Sequence, residues 1–248
     1  MKKIKTNTIT GALLAIFCFT YNLQAQDNMN TSRKLSPKEQ SIVSIAALTA
    51  KGDLSKLKTA LNTGLGAGLA VNETKEVLVH LYAYCGFPRS IRGLQTFMEV
   101  LNERKAKGIK DKLGNDASPI NEGGSKYERG KRILAELTKT LQPDTLTGYS
   151  AFAPALDTFL KEHLFADIFE RDVLTYAERE LVTVSVLAAI GGVEPMLRSH
   201  LTICLNVGLT PEQLKQFITI IKSTIGKKEA KAAQTVLEEV LRITFKLK

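Results

Sequence analysis

Apolar residues along this chain recur every three or four positions, the spacing that places side chains on one face of an α-helix. Leu181, Val184 and Leu187 show this spacing clearly. Two segments, 182–190 and 217–221, are apolar nearly all round. Helices of that kind are buried on several sides, so we expect them to contribute to contacts between subunits as well as to an internal core. The pattern predicts an all-α protein.

The helical pattern occurs twice along the chain. Residues 35–101 and 174–240 align at one constant offset, apart from a single inserted residue at Gly191-Gly192. Matching residues in the two segments are Leu35 and Leu174, Glu39 and Glu178, Val43 and Val182, Leu61 and Leu201, and Gly86 and Gly226. This self-similarity predicts a tandem repeat of one helical unit.

Capping residues and glycines predict where the helices begin and end. Capping boxes, in which a hydroxyl and a carboxylate three residues later bind free backbone amides, begin at Ser36 and Thr175. Thr210 is expected to cap a third helix, and Asn72 to serve similarly in the first copy. Glycines end the first two helices of each copy. The predicted helices span 37–50, 54–67, 73–85 and 88–105 in the first copy, and 176–190, 194–207, 211–225 and 227–243 in the second.

These boundaries divide the chain into two repeats. The first repeat is predicted to span 35–105 and the second 125–245. The segment between them, 106–124, is rich in Gly, Asn, Asp, Ser and Pro and is predicted to be a linker. Two further helices, near 125–141 and 152–169, are expected to form the leading part of the second repeat.

Residues 1–25 have the features of a secretory signal. Three lysines precede a short apolar stretch, which is well below the roughly 20 residues that span a membrane. Ala25 provides a small residue for cleavage, and the loss of three lysines would lower the formal charge of +9 to +6. We expect an exported, periplasmic protein without stable membrane insertion. An uncleaved anchor stays open, as does a lipoprotein at Cys18, although Phe17 fits the latter poorly.

The remaining composition argues against several kinds of site. Basic residues are not interleaved with aromatic ones, so no nucleic-acid partner is expected. The three histidines show no metal-binding spacing, and no phosphate-binding or dinucleotide motif is present, so neither a metal nor a cofactor is expected. Cys85 and Cys204 lie outside any C-x-x-C. Export would permit a disulfide between them, but their apolar helical surroundings favour buried thiols.

Glu180 and His200 are the main candidates for chemistry. They lie on successive helices joined at Gly191-Gly192, about 17 Å and 13 Å from that turn at 1.5 Å per residue. The spacing therefore permits a hydrogen bond across the helical hairpin. A carboxylate beside an imidazole fixes the tautomer of the ring and makes the pair a candidate general acid and base. The alternative is a buried structural pair that joins two helices.

The first copy provides an internal control for this pair. Ser41 and Ala60 occupy the positions equivalent to Glu180 and His200. The hairpin does not require the pair, which favours a functional role. His80, which has apolar neighbours in its helix, and His163, which lies beside Lys161 and Glu162, are instead expected to be packed or surface side chains.

The second copy resembles a known family. Its segment contains Arg-Glu-Leu-Val-Thr-Val from Arg179, Ala-Ala-Ile-Gly-Gly-Val-Glu-Pro from Ala188, Leu-Arg-Ser-His from Leu197 and Leu-Asn-Val-Gly-Leu-Thr from Leu205. Upstream lie Tyr-Glu-Arg-Gly from Tyr127 and Phe-Ala-Asp-Ile-Phe from Phe165. This set resembles the carboxymuconolactone decarboxylase and alkyl hydroperoxidase D-like family, over nearly all of 35–240. The resemblance implies an all-α homo-oligomeric ring, typically a trimer or hexamer, with a small-molecule substrate and with Glu180 and His200 as its acid/base residues.

One departure from the family pattern shapes the functional expectation. Alkyl hydroperoxidase D-like members carry a C-x-x-C between the glutamate and the histidine, whereas no cysteine lies between Glu180 and His200 here. We therefore expect a decarboxylase or lactone-processing enzyme in which His200 donates a proton. Arg198 is either an accessory residue that neutralises a substrate carboxylate or a solvated surface arginine. The alternatives are a peroxidase-like antioxidant that uses Cys204 alone and a non-enzymatic ligand-binding oligomer.

Overall fold

The computed structural model describes residues 33–120 and 123–246, and this part of the chain contains helices and no strands. The predicted signal at 1–25 lies outside the described residues. The first copy contains α1 (Pro37–Lys51), α2 (Leu54–Gly66), α3 (Val71–His80) and α4 (Tyr82–Ala106). The second contains α5 (Lys126–Thr138), α6 (Gly148–Phe152), α7 (Pro154–Phe159), a π-helix (Leu160–Phe169), α8 (Tyr176–Ile190), α9 (Glu194–Asn206), α10 (Pro211–Thr224) and α11 (Lys227–Lys246). The all-α prediction is confirmed.

The first helix of each copy begins with the predicted capping box. The Ser36 hydroxyl accepts from the Glu39 amide at 3.2 Å, and the Glu39 carboxylate accepts from the Ser36 amide at 2.7 Å. Thr175 and Glu178 repeat the arrangement at 3.2 and 2.9 Å. Each box satisfies two amides that the helix itself leaves free. The two copies therefore start from the same local geometry.

The start of α3 differs from the sequence-based expectation. The helix begins at Val71, so Asn72 lies inside it and the prediction that Asn72 caps it is wrong. The amides of Val71 and Asn72 donate to the carbonyls of Lys112 and Leu113 at 2.9 and 2.8 Å. The Asn72 side-chain amide donates to Asp116 at 3.0 Å. The segment 106–124 therefore caps this helix. Because that segment lies about 40 residues away along the chain, the local sequence could not reveal the cap.

Two predicted helices have different boundaries in the structure. The first copy bends at Gly86, whose φ of 80° and ψ of 161° are not helical, while the helix boundary itself falls earlier, between α3 and α4. The helix expected at 152–169 consists of α6, α7 and the π-helix. Pro154 disfavours a helical conformation at Ala153, which has φ −135° and ψ 77°.

The core is centred on α1 and α8, which pack against each other and join the two copies. Both helices are buried on almost every side, and Val182, Val184 and Val186 have no exposed surface. Their all-round apolar character is therefore used inside a single chain. Among the described helices, none is both long and apolar enough to cross a bilayer.

A second, smaller cluster packs the leading helices of the second copy against α9. Ile133 and Leu137 of α5 meet Phe165 of the π-helix and Ile203 of α9. Gly130 makes this approach possible, since a Cβ atom there would overlap the carbonyl oxygen of Lys161. These helices cover one side of the hairpin formed by α8 and α9.

Candidate active site

Glu180 and His200 meet across the α8–α9 hairpin. Nδ1 of His200 lies 2.9 Å from Oε2 of Glu180, and the Glu180 side chain has no exposed surface. The His200 side chain is 14% exposed, and its Nε2 forms no hydrogen bond with any described residue. An Nδ1–H donated to the carboxylate leaves Nε2 as the ring nitrogen that can exchange a proton with a substrate.

The turn between the helices brings the two side chains together. Gly191 and Gly192 have φ values of 66° and 71°, a region that glycine occupies without the steric cost of a Cβ atom. The Gly192 amide donates to the Glu194 side chain at 3.2 Å, at the start of α9. The hairpin is therefore closed by backbone conformations that only glycine adopts readily.

Tyr84, from the first copy, forms part of the same site. Its ring meets the His200 ring edge-on, with centroids 5.8 Å apart and an interplanar angle of 84°. Burial, together with the nearby charge of Glu180, raises the pKa of Tyr84 far above its usual range. The phenol is therefore a neutral hydrogen-bond donor. Among the described residues, three side-chain atoms are buried without hydrogen-bond partners: the Tyr84 hydroxyl, Oε1 of Glu180 and Nε of Arg179.

A buried ion-pair network lies next to the pair and crosses between the copies. Glu76 of α3 accepts from Arg179 of α8 at 2.8 Å and from Arg171 at 2.8 Å. Burial alone would raise the pKa of Glu76, but hydrogen bonds to the two arginines lower it below its usual range. The Glu76 carboxylate is thus held charged inside the protein and locks α3 against α8.

His80 extends this network as a neutral imidazole. Its Nδ1 accepts from the Arg179 guanidinium at 3.2 Å, which places the ring proton on Nε2, 2.9 Å from the Thr183 hydroxyl oxygen. That hydroxyl donates to the Arg179 carbonyl at 3.1 Å. Burial, followed by the charges of Arg179 and His200, holds the pKa of His80 well below 6.5. His80 is a packed structural residue, as expected from the sequence.

The other predicted site residues lie in different surroundings. Cys204, one turn after His200, is fully buried, and burial and the charge of Glu180 raise its pKa well above the usual range. Cys85 is also a free thiol, and burial raises its pKa to about 11. Arg198 pairs with Glu239, and its side chain is 46% exposed. Because Arg198 lies two residues before His200, the two side chains do not share a face of α9.

No group of three or more potential metal ligands occurs among the described residues. His163 lies at the surface and pairs with Asp167 at 3.1 Å.

Inspection of the sequence missed Tyr84, Arg179 and Glu76. A signal was present in the comparison of the copies, because the equivalent positions hold Thr224, Gln40 and Gln216. At each of these positions a charged or aromatic residue has a neutral or smaller residue at the equivalent position of the other copy. Only the structure reveals that these scattered differences meet at one place.

Comparisons with known proteins agree with this architecture. The model of the carboxymuconolactone decarboxylase family matches residues 20–97 and 154–239. The 4-carboxymuconolactone decarboxylase of Acinetobacter baylyi is 29% identical over 118 residues, which cover 47% of this chain and 87% of the relative. The two family matches confirm the tandem arrangement, and because together they span more than half of the chain, the protein belongs to the carboxymuconolactone decarboxylase family.

Proposed function

We propose that this protein is an acid–base enzyme that acts on a small carboxylate or lactone, with His200 as the proton donor and Glu180 as the residue that orients it. The contact of 2.9 Å between Nδ1 of His200 and the buried Glu180 carboxylate carries this proposal. It leaves Nε2 available while the opposite side of the ring is fixed. The similarity to a 4-carboxymuconolactone decarboxylase supports a lyase.

The proposed decarboxylation requires a proton donor next to the carbon that loses CO₂. When a carboxylate leaves as CO₂, the electron pair of the broken C–C bond stays on the substrate and is delocalised into the adjacent unsaturated system. Protonation of that carbon completes the reaction. His200 starts this step with both ring nitrogens protonated, donates the proton from Nε2, and is left as the neutral tautomer whose Nδ1–H stays bonded to the Glu180 carboxylate. Proton uptake from water then restores the enzyme.

The burial of Cys204 disfavours the thiol-based alternative. A peroxidase needs a thiolate that peroxide can reach, whereas the Cys204 side chain is fully enclosed and its pKa is raised. Both cysteines in the described part of the chain are free thiols. Acid–base chemistry at His200 is therefore favoured over a redox cycle.

Turnover of 4-carboxymuconolactone and of related unsaturated lactones, measured by ultraviolet absorbance and CO₂ release, tests the proposal. We expect Glu180→Gln and His200→Asn each to lower kcat by about a hundredfold or more. Ser41→Ala, at the position equivalent to Glu180, is the matched control and should leave turnover unchanged. Activity that survives His200→Asn would exclude the proposed proton donor. Ligand binding with no turnover across the panel would favour a non-enzymatic binding protein.

We also propose that the protein is exported and forms a homo-oligomer. The features of residues 1–25 support export. Phe152 of α6 and Phe159 of α7 are 92% and 66% exposed, and such exposed aromatic residues are typical of association surfaces. Cell fractionation tests export, and light scattering of the purified chain tests assembly. A Phe152→Asp/Phe159→Asp variant should dissociate the oligomer if α6 and α7 form the contact.

A further inference from the structure

Two buried polar atoms next to the proposed proton donor have no hydrogen-bond partner among the described residues. One is the Tyr84 hydroxyl, and the other is Oε1 of Glu180. Buried polar groups in native proteins are nearly always paired, so each exception requires an explanation. One of these atoms is a donor and the other an acceptor, and the two residues are close enough for the charge of Glu180 to disfavour ionisation of the phenol.

The internal repeat provides independent evidence that these residues form one unit. The positions equivalent to Tyr84, Glu180 and His200 hold Thr224, Ser41 and Ala60. Ser41 and Ala60 of the first copy and Thr224 of the second line one open depression. The three equivalent positions therefore lie together at both places in the molecule. In one half they hold tyrosine, glutamate and histidine, and in the other half all three are replaced.

The backbone around Tyr84 fixes where its side chain lies. The amide of Tyr84 donates to the Leu81 carbonyl at 3.1 Å, in the first turn of α4. Two residues later the chain bends at Gly86, with φ of 80°. Tyr84 therefore lies on a short, bent segment of the first copy, from which its ring contacts His200 of the second copy.

We propose that Tyr84 is a positioning residue of the Glu180–His200 pair, which it serves by donating its hydroxyl proton to Oε1 of Glu180, directly or through one bound water, and by holding the His200 ring edge-on. This inference rests on the proposed function of the pair. It makes the site composite, because the first copy supplies one residue and the second supplies two.

The chemical consequence concerns the orientation of the carboxylate. With Oε1 bound by the neutral phenol, Oε2 is directed at Nδ1 of His200, and the histidine is held in the tautomer that carries its proton there. Other titratable groups around the pair are His80 and Arg179 on the side of α3 and Cys204 on α9. None of these donates a hydrogen bond to Oε1. We assign the role to Tyr84 because its neutral hydroxyl is buried without a partner and lies close enough to feel the charge of Glu180.

Nitrogen-15 NMR of the imidazoles in the full-length protein tests this role without a substrate. The chain has three histidines, so the His200 signals can be assigned with a His200→Asn variant. In the unaltered protein, at a pH at which His200 is neutral, we expect one tautomer, with the proton on Nδ1 and slow exchange with water. In Tyr84→Phe we expect mixed tautomers and exchange of that proton faster by about tenfold, the effect of losing one hydrogen bond.

The matched control is Thr224→Val, which removes a hydroxyl at the equivalent position of the other copy and should leave the His200 signals unchanged. Tyr84→Met keeps the side chain large without a ring or a hydroxyl, and it should have at least as large an effect as Tyr84→Phe. If Tyr84→Phe does not fold, Tyr84→Met provides the same readout. His200 signals in the Tyr84 variants identical to those of the unaltered protein would overturn the proposal.

Kinetics separate this inference from the proposed function. If a substrate is turned over, Tyr84→Phe should lower kcat by about tenfold with little change in KM, because it alters the proton donor and not substrate binding. A kcat unchanged in Tyr84→Phe but lost in His200→Asn would overturn the role of Tyr84 alone. If no substrate is turned over, the proposed function fails while the NMR measurement still decides the role of Tyr84.

Discussion

The two copies share a helical frame but differ in what fills the space between α1 or α8 and the helix that follows. In the second copy the Glu180 and His200 side chains occupy that space. In the first copy Ser41 and Ala60 leave an open depression with a volume of about 520 Å³. Both hairpins form, so the frame does not depend on the acid/base pair. The difference supports the functional role proposed for the pair.

A second difference lies where each third helix packs against the opposite copy. There α3 presents Glu76 and His80 to Arg179, and all three side chains are buried. The equivalent positions in the other half are Gln216, Ile220 and Gln40. A neutral interface is therefore sufficient for this packing. The charged network lies on the side of the molecule that contains the proposed site, although burying its charges has a cost in desolvation.

A third difference is that other helices cover α9 in the second copy but leave its equivalent, α2, open in the first. Ile203 and Val207 of α9 pack against α5 and the π-helix, whereas their equivalents Thr63 and Ala67 line the open depression. The second copy thus has a more enclosed hairpin. Enclosure lowers the local dielectric and strengthens the interactions of a proton donor.

The largest expected effect on stability comes from breaking the charged network. Arg179→Met leaves the buried Glu76 carboxylate without this partner, which should cost about 3–5 kcal/mol of unfolding free energy. Gln40→Met at the equivalent position is the control and should cost less than about 1 kcal/mol. Urea unfolding of both variants provides the measurement. Equal losses of unfolding free energy in the two variants would mean that the charged and the neutral interface contribute equally to stability.

The next largest effect on stability is expected where α5 and the π-helix pack over α9. Gly130→Ala places a Cβ atom against the Lys161 carbonyl, so α5 must move away from the π-helix. We expect a loss of about 1–3 kcal/mol, as for other overpacked sites. Gly66→Ala has no atom within 4 Å of its added Cβ and should be neutral or slightly stabilising. Thermal unfolding compares the two, and a stable Gly130→Ala protein would show that α5 can shift freely.

A smaller effect should appear as acid sensitivity at one interface only. Burial, Arg179 and His200 hold the pKa of His80 well below 6.5. The unfolded chain binds a proton there near pH 6.5, while the folded chain does not, so stability should fall as pH drops below about 6.5 by about 1.4 kcal/mol per pH unit. His80→Gln should flatten this slope, and His163→Gln, at a surface histidine, should not. Urea titrations between pH 5.5 and 8 measure both slopes.

The smallest effect is expected from grafting the pair into the first copy. Ser41→Glu combined with Ala60→His restores both residues, but the depression has neither a tyrosine nor the enclosure of the second copy. We therefore expect turnover to stay within about twofold of the unaltered protein. A clear gain in kcat per chain, measured beside the Thr224→Tyr triple variant, would show that the pair alone is sufficient.

Much of the architecture could be predicted from the sequence because its causes are local. Helical periodicity, the capping boxes at Ser36 and Thr175 and the glycines after the helices gave boundaries close to those observed. The internal repeat also indicated which copy holds the pair. Local rules failed at Asn72 and at 152–169, where a cap supplied by a distant segment and a π-helix replaced the expected geometry.

The sequence by itself therefore determined the all-α class, the two copies and the hairpin that joins Glu180 to His200, since these follow from spacing within about 20 residues. Only the tertiary structure decided that Tyr84 meets His200 and that His80 binds Arg179, a residue 99 positions away. Such contacts arise from the packing of whole helices, which depends on the shape and burial of every neighbour at once. The tertiary structure was therefore needed to show that residues of both copies form the candidate site.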